Sequence, residues 1–422
     1  MTVARAWLWT MILLTVAALA CAVLLAPPAG APPARALSWL LFTGSSVHVA
    51  STGWLVTVPA VRTYGRKHPV RCLWVPCGLV VIAAAAAAAI RPAWFQWLLL
   101  AYFGWQLFHY QKQNIGMAAL AASAGRVRAL LPAERWPLLL AGWSGTAALI
   151  VRPTLLGLRL GPVGPGSLTL GHGLGHGPFG PATPKSVTSA QPGLSPVVNV
   201  IFLLAAASFL VSAAAGIAAL ARRPRAQRPA DFCAAYLTCL LFFAPAFVFG
   251  SPYAAVGGMT IAHGLQYLLL VTLIAGGGSA GGIRASGGST QSSGGRARQS
   301  EGSARQSEGS ARDSGGSARL SRLVRLALLA NVAFIGGAAL SGASHLHSGG
   351  PAGRLIFGAY LGVVMAHFVI DAGLWRMRDR LARNFLVTHL PYLVRAQPAT
   401  GQAPGPANAA TDPSAADIEC RT

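Results

Sequence analysis

Residues 353–383 read GRLIFGAYLGVVMAHFVIDAGLWRMRDRLAR. After Arg354 the stretch carries no formal charge until Asp371, and then Arg376, Arg378, Arg380 and Arg383 follow in quick succession. A helix of about 20 mostly apolar residues crosses the hydrocarbon of a bilayer, and Lys and Arg gather on the cytoplasmic side. The stretch therefore predicts a transmembrane helix over 353–375 that ends inside the cell.

The rest of the chain repeats this pattern. Nine further apolar stretches lie at 6–26, 37–61, 71–90, 93–117, 136–151, 197–221, 231–250, 254–276 and 320–342. The fifth is short and extends past Arg152 if that side chain snorkels to the interface. Basic residues follow alternate spans: Arg62, Arg66, Lys67 and Arg71 after the second, and Arg126, Arg128 and Arg135 after the fourth. Arg222, Arg223, Arg225 and Arg228 follow the sixth, and the segment after the eighth is Arg-rich. The expected fold is an all-α polytopic transmembrane bundle of about 10 spans, with both termini cytoplasmic. Arg5 before the first apolar run invites a signal-peptide reading. The long apolar core and the poor cleavage context around Ala18-Leu19-Ala20-Cys21 favour a retained helix.

Composition agrees. Hydrophobic residues make up 54% of the 422 and charged residues only 10%, against roughly 25% charged in a soluble domain. The net charge of +23 sits in short clusters between apolar runs, so it marks topology and anionic lipid headgroups rather than a nucleic-acid surface. Six cysteines in a chain of this length exclude a disulfide scaffold.

The chain divides into a bundle over 1–276, a Gly/Ser/Arg linker over 277–319, two further spans over 320–396 and an Ala/Pro-rich tail over 397–422. The linker repeats ARQSEGS, ARQSEGS and ARDSGGS without apolar heptad positions, so it is expected to be a disordered cytoplasmic segment, as is the tail. An external Gly/Pro-rich loop over 153–196 contains GHGLGHG. His172 and His176 there have ligand-compatible spacing, but glycines on both sides leave nothing to preorganise a site. His345 and His347 in SHLHS read the same way.

Ionisable residues within spans are costly, and by default they are functional. His48, His109, His263 and His367 fall within four different predicted spans, all running inward. At the rise of an α-helix they sit roughly 17, 24, 14 and 21 Å below the external ends, one layer near mid-membrane within boundary error. Residues three or four apart share a helix face. By that rule Ser45 and Thr52 flank His48, Lys112 and Gln113 flank His109, Gln266 and Tyr267 flank His263, and Asp371 follows His367. For any one of these the bland reading is an interhelical hydrogen bond; for Asp371 it is an interfacial ion pair. Four histidines at one depth point instead to a shared polar or metal-binding centre, with the histidines as candidate metal ligands and Asp371 and Lys112 as catalytic candidates. Imidazole suits iron, zinc and copper. The spread in depth suits one non-haem iron or one haem better than two stacked haems.

One histidine per helix, with the signatures AHGLQYL (262–268) and HFVIDAGLWR (367–376), resembles uncharacterised polytopic membrane proteins of GC-rich bacteria. At greater distance it is similar to the Brp/Blh family of membrane carotenoid-cleaving oxygenases. That resemblance implies an iron site at His48, His109, His263 and His367, a lipophilic substrate and a bacterial cytoplasmic membrane. The chain departs from the family in having more predicted spans and no intramembrane HxxxH pair. It also lacks CxxCH, a nucleotide-binding GxxxxGK[ST] loop, the clustered histidine boxes of desaturases and the Asp-rich motifs of prenyltransferases. The leading expectation is an oxidoreductase or oxygenase. The alternatives are a proton-coupled transporter using His367, Asp371 and His109, and a non-catalytic scaffold.

Overall fold

The computed structural model of the chain describes residues 2–28, 31–158, 196–277, 303–348, 350–375 and 380–393. These are helical, with no strand among the described residues. In chain order the helices are α1 (Val3–Leu24), α2 (Arg35–Phe42), α3 (His48–Leu55), α4 (Pro59–Lys67), α5 (Val75–Ala89), α6 (Pro92–Ala124) and α7 (Pro132–Val151). They continue with α8 (Pro196–Ala221), α9 (Ala230–Leu240), α10 (Pro245–Val248), α11 (Gly258–Gly276), α12 (Ser303–Ser344), α13 (Pro351–Leu374) and α14 (Arg380–His389). Proline opens α4, α6, α7, α8, α10 and α13, where its missing N–H costs nothing because first-turn donors have no helical acceptor.

Six helical segments are long and apolar enough to cross a membrane: Val3–Leu24, Val70–Ala89, Pro196–Ala221, Tyr253–Gly276, Leu320–His347 and Pro351–Leu374. Each coincides with a predicted span. Their outward faces are those of a multi-pass membrane protein. Leu203, Leu204, Leu210 and Val211 of α8 are exposed, as are Val81 and Ile82 of α5 and Phe334 and Ile335 of α12. A water-facing surface would carry polar residues there.

The other four predicted spans differ from simple apolar rods. The 37–61 stretch is helical to Leu55, turns, and resumes as the basic helix α4. The 93–117 stretch lies inside the longer α6, and 136–151 lies inside α7. The 231–250 stretch is not one helix: α9 stops at Leu240 and α10 restarts at Pro245. A proline ring cannot follow a helical turn without displacing the carbonyl four residues back.

The Gly/Ser/Arg stretch expected to be unstructured over 277–319 divides. Gly277 ends α11, residues 278–302 lie outside the described residues, and residues 303–319 form the first turns of α12. Extending an existing helix costs far less than nucleating one, so the apolar segment from Leu320 carries its neighbours with it. His172, His176 and the tail from 397 lie outside the described residues.

Small residues bring the helices together. A Cβ on Gly358 of α13 would strike the Ala83 carbonyl oxygen of α5, and one on Gly362 would strike the Val80 Cα. This G-x-x-x-G face lies against the alanine-rich half of α5, the close packing that lipid-embedded helices use. α11 meets the turn before α3 in the same way. A Cβ on Gly264 would overlap Gly44, and one on Gly44 would lie 2.5 Å from the Ile261 Cα. α12 approaches α3 through Gly337 beside Val47 and Gly336 beside Ala50, each at 3.0 Å from an added Cβ.

The basic loops converge at one end of the bundle. Arg223, 1% exposed, is bound through two nitrogens to the Glu134 carboxylate, and its guanidinium also donates to the carbonyls of Arg128 and Ala129. Its plane lies 4.7 Å over the Phe232 ring. The Arg128 N–H donates to Gln227 Oε1 at 2.8 Å, and Arg5 pairs with Asp231 at 3.3 Å. Burial pushes the Glu134 carboxyl up, but the Arg223 hydrogen bonds, the Leu131 N–H and the nearby positive charges outweigh it and hold the group below its ordinary value.

Candidate metal centre

The four histidines that the sequence places at one depth meet in space. His48 is the first residue of α3, directly after a π-helical turn over Thr43–Val47. π-turns shift the helical register and recur at functional sites. Here the turn sets His48 toward α11, and the Gly44–Gly264 contact removes the side chains that would hold the two backbones apart. His263 lies on α11 beside that contact, itself preceded by a π-turn at Tyr253–Gly257. His109 comes from the middle of α6 and His367 from α13, which the glycine face seats on α5.

The rings touch in a closed circuit. Centroid separations are 5.0 Å for His48–His263, 4.9 Å for His263–His109, 5.5 Å for His109–His367 and 5.1 Å for His367–His48, all edge to face. Exposures are 3% for His48, 8% for His109, 1% for His263, 3% for His367 and 2% for Asp371. Aromatic groups wall the circuit: Phe368 stacks on His109 at 4.1 Å, and Tyr110 lies 4.3 Å from His263. Tyr110 accepts from Gln106 Nε2 and donates to Thr260 Oγ1, so its hydroxyl is occupied outside the circuit.

Asp371 joins this group. Its Oδ2 lies 3.5 Å from His367 Nε2, and its Oδ1 accepts from the Tyr267 hydroxyl at 3.1 Å. It belongs to the interior, and its neighbours are polar groups of the centre. Lys112 does not reach the centre. Its side chain is exposed, with Nζ 5.0 Å above the Phe108 ring on the outer face of α6. Gln113 does turn inward, donating to the His263 carbonyl and to Gln266 Oε1, both at 3.1 Å. Gln266 in turn donates to Thr15 Oγ1 at 2.8 Å, tying α1 to α11.

What the cluster lacks is as informative as its contacts. Nε2 of His48, His109, His263 and His367, together with Asp371 Oδ2, are buried without a hydrogen-bond partner among the described residues. Buried polar atoms are almost always paired, and each unpaired one costs about 1–3 kcal/mol. Two sets of three have ligand atoms within 4.8 Å of one another: His48, His263 and His367, and His109, His367 and Asp371. They share His367. The spacing of neighbouring rings is that of imidazoles on one ion, although the ligand atoms gather as these two overlapping threes and not as one group of four. Imidazoles bound at metal–nitrogen distances of about 2.1 Å place neighbouring ring centres about 5 Å apart.

Two members of the wall have no periodic signal in the sequence. Phe368 and Tyr110 immediately follow His367 and His109, at a spacing that normally sends a side chain to another face. His345 and His347 form a 3₁₀ turn between α12 and α13 instead of a site; His347 Nδ1 lies 3.2 Å from the Ser344 carbonyl oxygen. Comparison with protein-family models, with curated proteins and with solved structures finds no match to this chain.

Proposed function

We propose that this chain is a multi-pass protein of the bacterial cytoplasmic membrane whose four histidines hold one iron ion and oxidise a lipophilic substrate. About ten passes, cytoplasmic termini and basic loops resting on anionic headgroups complete the reading. The observation that carries it is the cluster of five buried ligand atoms on His48, His109, His263, His367 and Asp371, none of which has a hydrogen-bond partner among the described residues. Four imidazoles and one carboxylate are a donor set that iron accepts. The contact distances between the rings favour a bare ion over haem, whose plane would have to part them.

Iron bound there would supply the one-electron and oxygen chemistry that side chains lack. The chain's own residues do the rest. The histidines supply the ligand nitrogens in two overlapping threes that share His367, and Phe368 and Tyr110 pack against the rings and exclude water. Asp371 offsets the positive charge of the ion, which a low-dielectric interior tolerates poorly without a counter-charge. The motif resemblance to membrane carotenoid oxygenases, if it reflects kinship, would imply the same kind of site. Lys112 has no part in the chemistry.

The test is metal analysis by mass spectrometry and an absorption spectrum of the full-length protein in mild detergent, beside His263→Ala and His367→Ala. The expected result is near-stoichiometric iron in the wild type and its loss in both variants. A Soret band would replace the bare ion with haem. Wild-type protein that stays metal-free after anaerobic reconstitution with Fe(II) overturns the reading.

A further inference from the structure

Four residues beyond each histidine stands a polar side chain: Thr52 after His48, Gln113 after His109, Tyr267 after His263 and Asp371 after His367. Four residues are about one helical turn, or about 6 Å along the axis. A second polar layer therefore lies one turn beyond the circuit of histidines, and three of its members are joined. Thr52 Oγ1 lies 2.7 Å from the Tyr267 hydroxyl and 2.6 Å from His367 Nδ1, and the Tyr267 hydroxyl donates to Asp371 Oδ1 at 3.1 Å. Thr52 and Tyr267 are 5% and 3% exposed, so no solvent competes for these bonds.

Counting protons gives the chain of bonds a direction. A carboxylate oxygen only accepts, so Tyr267 spends its one hydroxyl proton on Asp371. Tyr267 must then accept from Thr52, and Thr52, its own proton spent, must accept from His367. His367 Nδ1 is the donor, and in the neutral ring Nε2 is then the bare lone pair. That lone pair is the atom without a partner, and it lies 3.5 Å from the unpaired Asp371 Oδ2. Two lone-pair atoms held this close need either a proton on one of them or a metal cation beside both.

We infer that Thr52 and Tyr267 are positioning residues of the centre, holding His367 as the Nδ1–H tautomer so that Nε2 and Asp371 Oδ2 both face the metal. This rests on the metal reading above. It goes further in assigning a hydrogen-bond relay drawn from three helices. Outer groups of this kind fix the tautomer and ring orientation of a histidine ligand, and their loss weakens metal binding about 10- to 100-fold.

Cobalt(II) is the probe, because its visible bands report ligand type and geometry. Full-length protein in mild detergent, stripped of metal, is titrated with Co(II) in the wild type and in Thr52→Val, Thr52→Ser and Tyr267→Phe. Size-exclusion profiles and melting curves are recorded alongside. Thr52→Val is expected to lose about 10- to 100-fold in affinity and to shift the bands, and Thr52→Ser to restore both. Tyr267→Phe should also weaken binding, because Asp371 Oδ1 then has no donor. Wild-type affinity and bands in both Thr52→Val and Tyr267→Phe would overturn the inference while leaving the metal centre standing. Wild-type protein that takes up no Co(II) would overturn both. Should Thr52→Val not fold, ¹⁵N imidazole shifts of the wild type decide: an Nε2–H tautomer at His367 overturns the relay.

Discussion

Two buried polar clusters stand in this bundle, and they are built on opposite terms. Around Arg223 the bonds are closed: the guanidinium meets both oxygens of Glu134 and two backbone carbonyls, and the Tyr236 hydroxyl donates to the Glu134 carbonyl at 2.9 Å. Around His367 they are open, with five imidazole nitrogens and a carboxylate oxygen lacking hydrogen-bond partners among the described residues. Both clusters are equally hidden from solvent, so burial alone does not distinguish a structural knot from a site. Pairing does. A knot that completes its own hydrogen bonds holds α7 to the loop after α8, whereas the clustered unpaired nitrogens around His367 are what the proposed metal would satisfy.

This contrast can be broken by experiment. The largest effect is expected from Arg223→Ala, which leaves the Glu134 carboxylate buried without its partner. Removing one member of a buried pair costs about 3–5 kcal/mol, read as a large drop in melting temperature with metal content per folded protein unchanged. His263→Ala should behave in the opposite way, losing metal while lowering the melting temperature of the metal-free protein far less. Metal loss in Arg223→Ala, or equal destabilisation by both, would erase the distinction.

Next is Gly264→Ala, whose new methyl would press on the backbone of Gly44. Overpacking of this kind costs about 1–3 kcal/mol, and here it also separates His48 from His263. Metal affinity should fall together with stability. A variant that keeps wild-type affinity would show that the glycine contact does not set the ring spacing.

Acid gives a third, smaller effect. The Glu134 carboxyl lies below its ordinary value in the folded protein, so the unfolded chain binds its proton first as pH falls. The stability it contributes is fully present above the unfolded carboxyl value, about 4.3, and is lost as pH drops through the folded one. Glu134→Gln should flatten that part of the stability profile; an unchanged acid limb would assign the loss to other carboxylates. The smallest effect is expected from Lys112→Ala. With the side chain exposed, the change should stay within about 0.5 kcal/mol and leave metal binding as it is. A loss of metal in that variant would return Lys112 to the centre.

Lys112 shows where sequence reasoning stops short. Three residues leave a helical side chain about 60° away from its reference, and four leave it about 40° away on the other side. From His109 the first rotation carries Lys112 out over Phe108, and the second carries Gln113 in toward His263. The i+3 and i+4 rule treats the two alike, and only the position of α11 separates them. The polar residue four beyond each histidine was visible in the chain, but its partner was not. Thr52 lies beside His48 in sequence and bonds to His367, 315 residues away. Glu134 and Arg223, 89 residues apart, read as an isolated acid and one more arginine of a basic loop until they met.

The apolar stretches, the alternating basic clusters and the common depth of four histidines were readable directly, because each is a property of a single helix crossing a layered medium. Length against bilayer thickness, charge against side and rise per residue against depth need no knowledge of neighbours. The tertiary structure alone decided which faces meet. Glycine contacts at Gly44, Gly264, Gly358 and Gly362 set helix positions to within a carbon atom, and the break before Pro245 shortened α9. Rotation about each helix axis then determined which polar atoms found partners and which histidine nitrogens were left without one. Those rotations are fixed by packing against other helices, and packing is not a property that any one stretch of sequence carries.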